Sequence, residues 1–477
     1  MKKQYSRKKP LNGTYRPLFH LTAPFGWIND PNGFSYYRDK YHLFYQYNPK
    51  GEKWGVMHWG HAESMDLVNW KDLGIALYPD TKYDNFLGCF SGSAIEKDGS
   101  LYLMYTGVPF LSQIQLLAVS EDARNFKKCP KPVIGSSNRP PHSGKFAFRD
   151  PKIFKHNDTF YSVIGASYNK GRQIALYKSE DLKAWSFIAP IKLETTKTNG
   201  IFECPDLVIT DSGDILIYSI MNTETDGIRY QNVHSSVYEL GKANPLNGSF
   251  TPSTEPLEFD AGADFYAPQT TTLPDGRILL IAWMQMWFRK IPTAYLSHGF
   301  AGMMTLPREI SVSDNKLVQK PAKEIFSSFP SCTFSLSDTI KDELILPVTH
   351  PGAHMTKLSS PFDSSFSLHI HKGDACYTEI KYNNGFLSFN RELSGHPISG
   401  SKLCGNPNIR HMKISQSNTI ELLIFTDKSS IEIFANNGQT MSNTVYPFPD
   451  SNDISIFSEE GAKINLEFYP FVKTSAN

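Results

Sequence analysis

Residues 34–48 read FSYYRDKYHLFYQYN, in which two runs rich in aromatic residues flank the polar turn RDK. Asp, Asn or Gly between two such runs is typical of a β-hairpin. Neighbouring copies of this pattern start about 60 residues apart, which indicates an internal structural repeat. The four further copies are SAIEKDGSLYLMYTG from Ser93, KIFKHNDTFYSVIGA from Lys152, LVITDSGDILIYSIM from Leu207 and TTTLPDGRILLIAWM from Thr270.

A second signature follows the hairpin in three of the copies. It reads SMDLVNW (64–70), SEDARNF (120–126) and SEDLKAW (179–185), and it predicts the link between a third and a fourth strand. Four strands in each of five units indicate a five-bladed β-propeller, whose closed ring hides most sheet edges. A parallel α/β fold is disfavoured because long amphipathic helical patterns do not separate the strands.

The pattern changes near residues 322–335. Beyond this point come further strand-like runs, among them SFSLHIHK (365–372), and two Asn-Gly pairs that predict tight hairpins, Asn384-Gly385 and Asn437-Gly438. We therefore expect an all-β protein in which a five-bladed β-propeller (residues 1–325) is followed by a C-terminal β-sandwich (residues 326–477). The sandwich either binds sugar or only stabilises its neighbour.

Bulk composition argues against several classes of protein. The 477 residues carry a formal net charge of +1, which does not favour nucleic acid or a membrane surface as a partner. We see no apolar run that would span a bilayer or form a signal peptide. The six cysteines form no C-x-x-C pair and no His cluster accompanies them, so we expect no metal, no cofactor, no disulfide framework and a cytoplasmic location. A homodimer is possible but undecided.

Polar residues precede the first predicted strand of every blade. Asp30, Asp150 and Glu203 lie shortly before the repeat starts of blades 1, 3 and 4. Equivalent positions of a propeller converge on its axis, so these three carboxylates should meet in one pocket, although a single Asp of this kind often only caps a turn. Clustered carboxylates hold at least one proton, and such a pair is what glycoside hydrolysis requires.

Eight short segments in order resemble glycoside hydrolase family 32, which includes invertases and sucrose-6-phosphate hydrolases. They are WINDPNG (27–33), YHLFYQYNP (41–49), WGVMHWGH (54–61), CFSGSA (89–94), FRDPK (148–152), ECPDL (203–207), DFYAPQT (264–270) and MTLPRE (304–309). The resemblance implies a propeller followed by a sandwich. It also implies that Asp30 is the nucleophile, Glu203 the general acid/base and Asp150 the residue that holds the fructose hydroxyls.

The same resemblance implies retention of configuration, with the two reacting carboxyl groups about 5–5.5 Å apart. We expect Asp30 and Asp150 to raise the pKa of Glu203, so that it arrives protonated. Packing is the alternative role for each tryptophan, and Cys204 either tunes the acidity of Glu203 or is only a small buried thiol. The implied sugar contacts are Asn29, Gln46, Trp54, Phe90, Ser91 and Arg149, with Asp264 and Trp283 or Trp287 as weaker candidates.

The predicted enzyme is a β-fructofuranosidase acting on a small sugar: sucrose, sucrose-6-phosphate or short fructo-oligosaccharides. A fructosyltransferase on the same scaffold and a non-catalytic sugar-binding protein are the alternatives, and the presence of all three carboxylates counts against the second. Lys50, Lys53 and the loop around Arg139 are conceivable phosphate contacts, although surface lysines are usually only solvated.

Overall fold

A computed structural model gives the structure of the protein and describes residues 13–168, 171–191, 193, 201–348, 352–400, 406–436 and 438–474. Blades 1 to 3 are antiparallel sheets whose strands run outward from the axis in chain order. Their bounds are β1 (Gly26–Tyr37), β2 (Lys40–Asn48), β3 (His58–Ser64) and β4 (Lys71–Leu77) in blade 1, β5 (Gly88–Lys97), β6 (Ser100–Val108), β7 (Ile114–Ser120) and β8 (Lys127–Lys128) in blade 2, and β9 (Phe148–His156), β10 (Thr159–Tyr168), β11 (Gly171–Ser179) and β12 (Ser186–Ile191) in blade 3.

Blades 4 and 5 follow the same order, with insertions. In blade 5, the short strand β21 (Phe300–Ala301) pairs in parallel with β1 of blade 1, which closes the ring. The elements are β13 (Phe202–Val208), β14 (Asp214–Met221), β15 (His234–Asn244), β16 (Ser249–Pro252) and β17 (Leu257–Glu258) in blade 4, then β18 (Tyr266–Thr272), β19 (Ile278–Trp283), β20 (Arg289–Lys290), α1 (Pro292–Tyr295), β21 (Phe300–Ala301), β22 (Arg308–Ser313) and β23 (Lys316–Pro321).

The repeated signature has one physical cause in all three copies. Oδ1 of Asp66 accepts hydrogen bonds from the amides of Val68 and Asn69 at 3.0 and 2.7 Å, and Asp122 and Asp181 accept the equivalent pairs in blades 2 and 3. The aspartate thus replaces the backbone partners of a tight turn. The predicted link between third and fourth strands is confirmed.

Separate clusters of buried apolar side chains fill the spaces between neighbouring blades. Between blades 1 and 2, Phe44, Trp59, Leu103 and Tyr105 pack together and are fully buried. Burying a large apolar side chain contributes about 1.5–3 kcal/mol, so each blade is stabilised chiefly by its neighbours.

The sandwich follows a short 3₁₀ helix at Lys323–Ser328 and is built from one continuous sheet. The last strand, β34 (Asp453–Pro470), is long enough to belong to both layers. Its first part pairs with β26 (Ser365–Lys372) and its last part with β25 (His354–Pro361). The strands of this sheet are β24 (Phe334–Ile345), β25 (His354–Pro361), β26 (Ser365–Lys372), β27 (Thr378–Asn383), β28 (Phe386–Asn390), β30 (Ile409–Lys413), β31 (Thr419–Asp427), β32 (Ser430–Ala435), β33 (Gln439–Thr444) and β34 (Asp453–Pro470). The short strand β29 (Ser399–Gly400) lies outside it and pairs with β20 of the propeller.

The predicted fold class, an all-β five-bladed propeller followed by a sandwich, is confirmed. Asn384 and Gly385 form the predicted two-residue turn between β27 and β28, both with positive φ. For the second predicted turn, Asn437 lies outside the described residues. The boundary at 325/326 remains a prediction. Within the described ranges, no helix has the length and apolar character needed to cross a bilayer.

Candidate active site

The three predicted carboxylates, Asp30, Asp150 and Glu203, lie inside the innermost strands β1, β9 and β13, not before them as we expected. The pairing of each inner strand with its neighbour shifts close to the axis at the expected residues, and in β1 it shifts a second time between Asn32 and Ser35. The β-bulges at the expected residues lie between Ile28 and Pro31, Phe90 and Gly92, Arg149 and Lys152, Glu203 and Asp206, and Tyr266 and Gln269. A bulge adds a residue, bends the strand and re-aims its side chains, and it is common beside active sites.

The backbone at three of these bulges adopts a conformation that side chains rarely tolerate. Asp150, Cys204 and Ala267 have φ values of 66°, 47° and 53°, and positive φ in non-glycine residues is uncommon and concentrates at functional sites. Asp150, Cys204 and neighbouring bulge residues line a small cavity on the propeller axis. The same irregularity, repeated around the ring, therefore brings residues distant in sequence to one point.

Asp30 is held by hydrogen bonds at both carboxylate oxygens. Ser91 Oγ donates to Oδ2 at 2.6 Å, and Asn29 Nδ2 donates to Oδ1 at 3.2 Å. Asn29 is itself fixed by the indole of Trp27, whose Nε1 donates to Asn29 Oδ1 at 2.9 Å. Burial raises the pKa of Asp30 and the charge of Glu203 adds to that effect, while the bond from Ser91 opposes it.

Asp150 lies on the other side of Cys204 from Asp30. Its Oδ2 accepts the backbone amide of Cys204 at 3.1 Å, and the Cys204 thiol lies 3.7 Å from that oxygen and 3.6 Å from Oδ2 of Asp30. Burial raises the pKa of Asp150 to about 7, helped by the charges of Glu203 and Asp30 and opposed by Arg149. Burial and these same carboxylates raise the pKa of the Cys204 thiol, so it stays neutral.

Glu203 is held by two donors. Arg149 Nη2 donates to Oε1 and the Tyr266 hydroxyl donates to Oε2, both at 2.6 Å. Burial favours the neutral acid, but the charge of Arg149 and these hydrogen bonds outweigh it, so the pKa of Glu203 lies below its usual value. Our expectation of a raised pKa for Glu203 is therefore wrong. The negative field of Asp30 and Asp150 acts, but Arg149 and Tyr266 lie closer.

The remaining expected sugar contacts surround this cluster. Gln46 is opposite the blade-1 bulge, where its Nε2 donates to the Cys89 carbonyl at 2.9 Å. Trp54 is 43% exposed and stands edge-on to Phe90, with ring centroids 6.2 Å apart. Phe90 in turn precedes Ser91 in β5. An apolar wall is thus placed next to a polar floor, as sugar sites require.

Two of the three weaker candidates, Trp283 and Asp264, are enclosed by protein side chains. Trp283 is fully buried and packs against Trp27 and Trp287. Asp264 is fully buried and bound by Arg289 and by Arg391 of the sandwich. Both positions are structural, because neither side chain is open to a ligand.

Tyr266 is a site residue that we did not select from the sequence. It is the last paired residue before the blade-5 bulge, as Glu203 is before the blade-4 bulge. Comparing equivalent positions of the repeat would have identified it within DFYAPQT.

Two of the basic residues that we considered as phosphate contacts, Arg139 and Lys50, lie in different parts of the propeller. Arg139 Nη2 donates to Gln113 O at 2.9 Å and to Ser112 Oγ at 3.1 Å. Lys50 borders a groove at the outer rim of blades 1 and 2, together with Arg124 and Lys128.

Two family models match the chain. Residues 20–321 match the glycosyl hydrolases family 32 N-terminal domain, and residues 303–470 match the glycosyl hydrolases family 32 C terminal. The two matches together span almost all the described residues.

Individual relatives agree with the family models. The chain is 34% identical to a sucrose-6-phosphate hydrolase of Zymomonas mobilis over 484 aligned positions, covering 92% of this chain and 88% of the relative. Among solved structures, it is similar to a family 32 β-fructofuranosidase of Bombyx mori (31% identity, TM-score 0.84, 97% of this chain and 95% of the other). It is also similar to a sucrose-6-phosphate hydrolase of Lactobacillus gasseri (28% identity, TM-score 0.86, 97% and 94%).

Proposed function

Because the chain belongs to glycoside hydrolase family 32 and is a glycoside hydrolase, we propose that it hydrolyses the terminal β-D-fructofuranosyl bond of sucrose, sucrose-6-phosphate or a short fructo-oligosaccharide with retention of configuration. The observation that carries the proposal is the cluster of Asp30, Asp150 and Glu203, held at equivalent bulges of three blades, with Arg149 paired to Asp150 and Glu203. The names of the relatives, among them a raffinose invertase of Escherichia coli, support a small β-fructofuranoside as the substrate.

In the first step Asp30 attacks the anomeric carbon C2 of the fructosyl unit, and Glu203 donates a proton to the departing glycosidic oxygen. The bond between C2 and that oxygen breaks, and a fructosyl ester of Asp30 forms. Hydrogen bonds from Ser91 and Asn29 favour the ionised form of Asp30 that this attack requires.

Glu203 must gain a proton before it can act as an acid. Asp150, whose pKa burial raises to about 7, can supply this proton. Fructose hydroxyls that donate to Asp150 stabilise its ionised form and release this proton. A second ionised carboxylate close to Glu203, in a site from which the sugar excludes water, then raises the affinity of Glu203 for the proton.

In the second step Glu203 acts as a base and activates a water molecule, which attacks C2 and releases fructose from Asp30. A sugar hydroxyl in place of that water would give transfer, and no contact of the described residues favours this alternative. The propeller of residues 1–325 is the proposed catalytic domain, with residues 326–477 forming the sandwich.

Three further expectations belong to this proposal. A cytoplasmic location is supported by the free thiols of Cys89, Cys129, Cys204, Cys332 and Cys376, since reduced cysteines are usual in that compartment. The near-zero net charge supports the absence of nucleic-acid binding. A homodimer stays a prediction, which light scattering coupled to size-exclusion chromatography would measure.

The test compares hydrolysis of sucrose, sucrose-6-phosphate and 1-kestose by the wild type and by Asp30→Asn. We expect the wild type to cleave at least one of the three, and the kcat/KM ratios to name the substrate. Asp122→Asn, the same substitution in the blade-2 link, is the matched control and should keep full activity. Proton NMR of the first turnovers should show the β-anomer of fructose. Release of the α-anomer would contradict the nucleophilic role of Asp30.

A further inference from the structure

The segment that leads into β18 runs along β33 of the sandwich. Gly262 makes the closest approach, since a Cβ atom there would lie 2.3 Å from both the nitrogen and the oxygen of Ser442. Three backbone amides of the segment bond to this strand: Ala261 N to Thr440 O (2.9 Å), Ala263 N to Asn443 Oδ1 (2.8 Å) and Asp264 N to Ser442 O (2.9 Å). The segment therefore takes its position from the sandwich as well as from the propeller.

Asp264, at the end of this segment, is fixed by both domains. Its Oδ2 accepts from Arg391 Nη1, from the Thr444 amide at 2.8 Å and from Thr444 Oγ1 at 2.9 Å, all in the sandwich. Its Oδ1 accepts from Arg289 Nη1 of the propeller. The two guanidinium charges hold the pKa of Asp264 below its usual value despite burial, so the carboxylate remains ionised.

Tyr266 follows Asp264 after one residue and begins β18. It is buried, and its hydroxyl donates to Glu203 Oε2 at 2.6 Å. Only two backbone steps thus separate a carboxylate clamped by the sandwich from the side chain that orients Glu203. Side chains that support a reacting group must be held within about 0.5 Å of their productive position. A segment fixed at both ends restricts Tyr266 in this way.

We propose that the sandwich positions the acid/base of the propeller: Arg391 and β33 hold Asp264, and Asp264 holds Tyr266 against Glu203. Arg391 and Asp264 are positioning residues, since both are buried and bond to each other. The inference rests on the proposed function, in which Glu203 is the acid/base. It gives the sandwich a part in the chemistry of a cavity whose described lining residues all belong to the propeller.

The primary test is Arg391→Met, which keeps a long apolar side chain and removes the charge. We expect kcat for sucrose to fall about 10-fold with KM within twofold, because general acid catalysis contributes roughly 100- to 10,000-fold and only its alignment is disturbed. The hydrogen bond from Tyr266 lowers the pKa of Glu203. Weakening it should therefore move the alkaline limb of the pH–rate profile to higher pH. Arg391→Lys, which keeps a cation beside Asp264, should restore much of kcat.

Tyr266→Phe decides whether Arg391 acts through Tyr266. We expect Tyr266→Phe to lower kcat and shift the alkaline limb in the same direction. If the chain of contacts is real, adding Arg391→Met to Tyr266→Phe has little further effect on kcat. Effects that multiply in the double variant, or an unchanged kcat and pH profile in folded Arg391→Met, would overturn the inference.

Asp427→Asn is the matched control for loss of a buried charge in the sandwich. Asp427 accepts the amides of Leu18 and Phe19, far along the chain from the clamped segment, so this variant should lower Tm and leave kcat and the pH profile unchanged. If Arg391→Met does not fold, Thr444→Val removes a single hydrogen bond to Asp264 and should give a smaller shift of the same sign. An unchanged profile in Thr444→Val would then overturn the inference.

Failure of this inference and failure of the proposed function are distinguishable. An active wild type that Glu203→Gln inactivates, together with an Arg391→Met profile like that of the wild type, overturns only the positioning role. A wild type inactive on all three sugars overturns the proposed function itself.

Discussion

The funnel, which is the axial cavity around Asp30, Asp150 and Glu203, and the interface between the two domains both bury carboxylates, but the two regions balance this negative charge differently. In the funnel, Arg149 pairs with Asp150 and Glu203, while Asp30 has no cation within salt-bridge distance among the described residues. At the interface, four cations balance four acids: Asp264 lies between Arg289 and Arg391, Arg308 joins Asp260 to Glu432, and His20 binds both Glu432 and Asp427.

The pKa values follow this difference in balance. Burial acts on every one of these acids, yet paired cations hold the pKa of Asp264 and of Glu432 below their usual values. The funnel lacks enough positive charge, so the pKa values of Asp30 and Asp150 rise. The same residue types therefore serve as fixed structural ions in one region and as a store of an exchangeable proton in the other.

The largest expected effect is on activity, in the funnel. Asp30→Asn removes the nucleophile, and kcat for the preferred sugar should fall by about 10⁴-fold or more. Its Tm should stay at or above that of the wild type, because a buried acid without a cation is replaced by a neutral amide. Initial-rate assays and thermal denaturation measure the two quantities. If Asp30→Asn kept substantial activity, the carboxylates of the axial cavity would not differ in function from those of the domain interface.

The next effect is on stability, at the interface. Arg308 is fully buried and bonds to Asp260 at 2.7 Å and Glu432 at 3.1 Å. Arg308→Met leaves both carboxylates short of a cation and should lower the free energy of unfolding by about 3–5 kcal/mol. Urea denaturation measures this, and kcat of the folded fraction should stay within about tenfold. A stability loss below about 1 kcal/mol would show that the cluster is not a structural support.

A third effect concerns the pH dependence of Asp150. Its pKa is about 7 in the folded protein, against about 3.9 in an unfolded chain. Between these values only the folded protein holds the proton, so the wild type loses stability as pH rises from about 4 to 7. The free energy of unfolding of Asp150→Asn lacks this decrease. Relative to that of the wild type, it should therefore rise by up to about 4 kcal/mol between pH 4 and pH 8. Urea denaturation across this range tests it, and parallel curves would contradict the raised pKa.

The smallest effect is the counterpart at the interface. Asp427 and Glu432 raise the pKa of His20 to about 9 against the effect of burial. The resulting stabilisation is complete below about pH 6.5 and is lost as pH rises to 9. It amounts to at most about 3 kcal/mol. His20→Asn should remove this slope while keeping that of Asp150. Urea denaturation of the wild type and of His20→Asn at pH 6 and pH 9.5 measures the change in the free energy of unfolding with pH. The same change in both proteins would show that another group causes it.

Much of the architecture was predictable because the repeat is local. Each hairpin and each Asp-based link is specified by residues a few positions apart, as the bonds from Asp66 to Val68 and Asn69 illustrate. Convergence of Asp30, Asp150 and Glu203 was predictable as well, since equivalent positions of a closed ring face one axis.

Several features of the site could not be read from local pattern. The bulges that contain Asp150 and Cys204 depend on pairing with β10 and β14, and no short-range signal marks them. Asp264 is the first residue of the DFYAPQT segment yet belongs to the domain interface, because Arg391, 127 positions away in the chain, bonds to it. The pKa of Glu203 depends on Arg149 and on Tyr266, which lie in two other blades, and together they reversed the direction we expected.

By itself, the sequence determined the class of fold, the number of blades and the identity of the three clustered carboxylates, since these follow from short-range hairpin chemistry repeated along the chain. Only the tertiary structure decided which carboxylate holds the proton, which acids are structural and how the sandwich meets the funnel. Those properties depend on burial and on charges a few ångströms away in space, and the spacing of residues along a chain does not fix either.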